Sequence, residues 1–76
     1  MVLVAHQKEV NSMNKVKGYR NMANMNQAEM AEAIGVSYRS YCDKESGKID
    51  FKVSELIKIR DLIISKGIQV SLDDLI

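Results

Sequence analysis

Apolar positions recur at helical spacing along most of this chain. Met13, Val16, Tyr19 or Arg20, and Ala23 fall on one face and predict a first helix over about 13–23. A second helix has a sharp start: Asn26 is a good N-cap, and Glu29 three residues later makes the reciprocal capping-box partner. Met30, Ala31 and Ile34 give it a buried stripe, and Gly35 ends it, because glycine accepts the left-handed backbone that closes a helix. Ser37 caps a third helix reaching about Ser46, with Gly47 closing it. On that helix Tyr38, Tyr41 and Glu45 share one side, while Arg39, Asp43 and Ser46 share the other. A fourth helix is expected over about 52–66, with Asp50 as a candidate cap and Gly67 as its stop.

The fourth helix carries Val53, Leu56, Ile57, Ile59, Leu62, Ile63 and Ile64. That stripe is broader than one small core needs. Either neighbouring elements wrap the whole helix, or one edge meets another chain. Ile68 to Val70 read as extended, and Ser71 caps a last turn with Leu72, Leu75 and Ile76 turned inward. Residues 1–12 show no period and read as an arm ahead of one helical domain over 13–76. The fold class is all-α.

Composition narrows the function. A chain of 76 residues is one small domain and buries only about 60% of its unfolded surface, so stability needs support. Cys42 is the single cysteine and His6 the single histidine, which excludes an intrachain disulfide and a four-ligand zinc site of N and S donors. No cofactor is expected, and self-association or a partner protein is the remaining support. No phosphate-cradling glycine loop, paired histidine motif or Cys/His couple is present, so an enzyme acting on a small-molecule substrate is not expected. No run reaches the roughly 18 apolar residues of a membrane span. The opening MVLVAHQ has no basic flank, so a signal peptide is not expected and the cytoplasm is. The net charge is +1, with eight basic and six acidic groups over 1–52. Such a balance allows a local DNA-reading face but predicts weak non-specific affinity for nucleic acid, since that affinity scales with the phosphates neutralised.

The second and third helices are joined by a very short turn containing Gly35, a helix-turn-helix arrangement. Small Ala31 lets the third helix cross closely, and Ile34, Val36 and Tyr41 lock the pair at a fixed angle. A rigid projecting helix of this kind fits a major groove about 12 Å wide.

With these residues the sequence resembles the Cro/repressor-type (XRE-like) helix-turn-helix regulators of phages and bacteria. The resemblance is carried by Gln27-Ala28-Glu29-Met30-Ala31, by Ile34-Gly35-Val36-Ser37, by Glu45-Ser46-Gly47-Lys48 and by Val70-Ser71-Leu72-Asp73-Asp74-Leu75, and it covers about residues 13–76. It implies a five-helix bundle of the lambda-repressor-like type and a structural ion pair between Arg20 and Glu45. It further implies double-stranded operator DNA as partner and a DNA-binding set of Asn26, Gln27, Ser37, Tyr38, Arg39, Ser40, Asp43 and Lys48. Gln27 matches a phosphate-gripping position that also braces the recognition helix. Arg39 is suited to a guanine, Asp43 to a cytosine amino group or to a solvated pair with Arg39, and Lys48 to a phosphate. Tyr41 is expected in the core, Tyr38 either in the groove or packed sideways, and Cys42 as a packing residue.

Two functions follow. One is a phage-encoded, dimeric transcriptional regulator. The other is a protein-interaction module, such as an antirepressor, a modulator of repression or an antitoxin, which binds a repressor or toxin protein. Near-neutral charge, Asp43, the tyrosines and the broad apolar face of the fourth helix favour the latter.

Overall fold

The computed structural model describes residues 15–75, and within them every regular element is a helix. The elements are α1 (15–22), α2 (Gln27–Ile34), α3 (Tyr38–Glu45), α4 (Val53–Ser65) and α5 (Leu72–Leu75). The fold is therefore the expected all-α bundle of five helices. Met13, Ile76 and the expected arm over 1–12 lie outside the described residues.

One capping device explains why the helices are short and sharply bounded. Each of the first four ends in a paired closure, in which the second residue past the helical turn reaches back five positions and its predecessor three. The closing pairs are Met25 N–H to Arg20 O with Asn24 N–H to Asn21 O, and Val36 N–H to Ala31 O with Gly35 N–H to Glu32 O. Lys48 N–H to Asp43 O and Ile68 N–H to Ile63 O do the same for α3 and α4. The geometry requires a left-handed residue at each closure. Gly35 supplies it at φ 79°, while α1 uses Asn24 at φ 60°, the non-glycine residue that tolerates this region best.

Two helix starts follow the sequence closely. Asn26 Oδ1 accepts the Glu29 N–H at 2.8 Å, and Glu29 returns the bond to the Asn26 N–H at 2.8 Å. Ser37 Oγ accepts the Ser40 N–H at 3.1 Å. The start of α4 differs. Lys52, not Asp50, occupies the cap position, with extended backbone at φ −75° and ψ 153°. The reason is packing: the ring of Phe51 meets Tyr41 edge-on at 5.9 Å, which keeps the chain extended past Asp50. The first turn is then held by Glu55, whose carboxylate accepts the Lys52 N–H at 2.8 Å. In α5 Asp74 performs the same service, accepting from the Ser71 N–H at 2.9 Å.

The core gathers Val16 and Ala23 from the first segment, Met30, Ala31 and Ile34 from α2, and Tyr41 from α3. Leu56, Ile59 and Ile63 of α4 join them, with Val70 and Leu75 sealing the end. Leu72 is half-buried rather than fully inward. α2 packs against both α3 and α4, and α4 against α5. Of the broad stripe on α4, Val53 and Ile64 stay exposed, so neighbours do not wrap the whole helix.

Candidate nucleic-acid interface

α3 is short, and eight residues alone would not hold helical structure in water. Its orientation comes from a buried polar knot centred on Glu45. Arg20 of α1 reaches Glu45 through two parallel bonds, Nε to Oε2 at 2.8 Å and Nη2 to Oε1 at 3.2 Å. The Tyr41 hydroxyl donates to Oε2, and the Gln27 amide donates to Oε1 at 2.8 Å. Arg20 Nη1 also donates to the Met25 carbonyl at 2.8 Å, which ties the turn after α1 into the knot. Arg20, Tyr41 and Glu45 are all buried, and no buried side-chain polar atom among the described residues lacks a partner. Three helices thus converge on one carboxylate at the end of α3.

A second buried pair fixes the other flank. Lys44 Nζ lies 2.7 Å from both carboxylate oxygens of Glu55, joining the last turn of α3 to the first turn of α4. Sequence reasoning missed Lys44 and Glu55. The available signal was positional: Lys44 stands three residues after Tyr41 on the inward side, and Glu55 stands three residues after Lys52. Buried pairs of this sort contribute little net stability but cost much when one partner is removed, so they specify geometry.

The charges respond to this packing. Burial alone would disfavour an ionised Glu45, but the bonds from Arg20, Tyr41 and Gln27 prevail and hold its carboxyl below the usual range. Glu55 is likewise pushed up by burial and drawn down further by Lys44 and the Lys52 N–H, with a net fall. The Tyr41 phenol moves the other way, raised by burial and then by its bond to the Glu45 carboxylate. Arg20 is raised by its bond to Glu45.

The residues expected at DNA fall into two groups. Asn26, Ser37, Tyr38, Arg39 and Lys48 are exposed, at or near the N-terminal ends of α2 and α3 and the turn after α3. Gln27, Ser40 and Asp43 are half-buried. The oxygens of Asn26 and Ser37 are occupied in capping, and the Gln27 amide is turned inward to Glu45 while its oxygen accepts from the Tyr38 hydroxyl at 3.5 Å. Tyr38 is 57% exposed, so it leans across the helix pair without entering the core. Arg39 and Asp43 do not form an ion pair. Asp43 instead accepts the Lys48 N–H at 2.9 Å through its backbone carbonyl, and this bond places Lys48 beside the end of α3. Cys42 is a half-buried free thiol.

The described residues contain no grouping of histidine, cysteine and carboxylates able to hold a metal, and no helix among them is long and apolar enough to cross a membrane. A model of the helix-turn-helix family matches residues 16–75, from α1 through α5. No curated protein and no solved structure matches the chain. With its bundle, its short α2–α3 turn and a family match over most of its length, the chain belongs to the helix-turn-helix family of DNA-binding transcriptional regulators, of the Cro/repressor (XRE-like) kind.

Proposed function

We propose that the chain is a phage-encoded regulator acting in the cytoplasm, which binds double-stranded operator DNA by laying the N-terminal half of α3 in the major groove. The observation that carries this reading is Arg39: an exposed guanidinium, not engaged by Asp43, on a helix held rigid by two buried ion pairs. A free guanidinium presents the fork that matches the O6 and N7 acceptors of guanine. Tyr38 and Ser37 flank it, Ser40 and Asp43 face the adjoining base edges, and Lys48 meets a phosphate. The N-terminus of α2, at Asn26 and Gln27, offers backbone donors to a second phosphate. With its amide committed to Glu45, Gln27 braces α3 more than it grips DNA.

The test is a gel shift on the chain's own promoter region over a range of salt. Affinity should fall linearly on a log–log plot as salt rises. Arg39→Ala should cost about 1–3 kcal/mol and relax the preference at one base, while Lys48→Ala should weaken all sequences equally and reduce the salt slope by about one. Arg39→Ala with unchanged affinity and footprint, or a chain that shifts DNA only when a repressor protein is added, overturns the reading.

A further inference from the structure

The flank of α3 that turns toward α2 carries Tyr38 and, one turn later, Cys42. They stand beside the line of Arg39 and Asp43, on the side away from Ser40. Neither belongs to the core: Tyr38 is 57% exposed and Cys42 half-buried. The Tyr38 hydroxyl donates to Gln27 Oε1 at 3.5 Å. The neighbouring Cys42 thiol raises the Tyr38 phenol above its ordinary value, by hydrogen bond first and by charge second. The polar end of the side chain is thus occupied within the protein. The ring runs along the flank of α3, and its open surface presents carbon alone. Cys42 adds a sulfur that packs like a small hydrophobe. Gln27 is itself fixed to Glu45 at 2.8 Å, so the orientation of the ring descends from the buried knot.

We propose that Tyr38 and Cys42 form a receptor for the C5-methyl group of a pyrimidine, thymine in unmodified DNA, in a base pair beside the guanine read by Arg39. The inference rests on the reading that α3 enters the major groove. An apolar strip cannot pair with the donors and acceptors of a base edge. One group in that groove is apolar, the C5-methyl of thymine, and it stands near the backbone of its own strand. The strip lies between Arg39 and the N-terminus of α2, which is the backbone side of the guanine contact. A ring with two rotatable bonds, already held at its hydroxyl, loses little freedom when a methyl group packs on its face. This base is read by contact and shape, whereas the guanine is read by hydrogen bonds.

Fluorescence anisotropy of the full chain on its operator tests it, with thymines replaced one at a time by deoxyuridine, which lacks only the methyl group. At one thymine beside the base relaxed by Arg39→Ala, the replacement should weaken binding about fourfold, as expected for one buried methyl. Cytosine in that place should bind weakly, and its C5-methylation should recover about fourfold, which separates reading of the methyl from reading of the thymine oxygen. Tyr38→Ala should bind the thymine and deoxyuridine sites equally. Tyr38→Phe, which keeps the ring, should keep the distinction. Both variants should show wild-type helical circular dichroism, because the side chain lies outside the core. A wild type indifferent to every methyl, a methylated cytosine that recovers nothing, a Tyr38→Ala that still distinguishes the two sites, or a Tyr38→Phe that no longer does, overturns this inference and leaves the DNA-binding reading in place. A chain that binds no operator duplex overturns both.

Discussion

Glu45 accepts four hydrogen bonds from three side chains, so its neighbours cannot be changed one at a time without consequence. Arg20→Met strands the carboxylate in the interior. The expected cost is about 3–5 kcal/mol, against a total stability on the order of 5 kcal/mol for a domain this small. Urea unfolding should find Arg20→Met close to fully unfolded at neutral pH. Adding Glu45→Gln should recover part of the loss, because a neutral amide needs no counter-charge; a double variant no better than the single one would show that packing, not charge, is at fault. The Arg20–Glu45 pair was legible only through the family pattern, since 25 residues separate its members. The Lys44–Glu55 pair was not legible, because Lys44 looks like one more solvated lysine until the start of α4 is known.

Among the elements, α2 is where local sequence says most. Its cap, its stripe and its stop are all written within ten residues, and all three occur as expected. Gly35 separates backbone strain from crowding. A Cβ at this position would meet nothing within 4 Å, so Gly35→Ala costs only the left-handed conformation, about 1 kcal/mol. Asn26→Ala removes an acceptor from the other end and should cost about 0.5–2 kcal/mol. Thermal melts of both variants should show modest, nearly additive losses, since the two positions share no partner; a Gly35→Ala loss above about 3 kcal/mol would mean that the α2–α3 turn had shifted. The extent of α4 agrees with the sequence to within a residue at each end, but its cap does not, for the opposite reason. Asp50 is a better cap than Lys52 by propensity, but the Phe51 ring on Tyr41 and the Glu55 carboxylate decide the matter, and both are tertiary or reciprocal contacts.

At the scale of the whole molecule, the buried groups set two limits on the pH range of the fold. Glu45 and Glu55 both have folded carboxyls held below the range of an unfolded glutamate, about 4.3. Between the folded and unfolded values the unfolded chain binds more protons, so stability rises with pH there and is lost as pH falls through the folded values. Tyr41 acts with the opposite sign. Its folded phenol is raised, so its contribution is complete below the unfolded value of about 10 and drains away as pH climbs beyond it. Stability should therefore form a plateau between about pH 5 and pH 9 with a fall on each side. Tyr41→Phe distinguishes the two limits. It removes one donor to Glu45, so it should lower the plateau and move the acid fall to higher pH, because Glu45 then loses part of what stabilises its charge. The alkaline fall should shrink at the same time. Urea midpoints of both proteins from pH 3 to pH 11 would read all three changes, and an acid limb that stays in place would mean that Arg20 and Gln27 hold Glu45 ionised without the phenol.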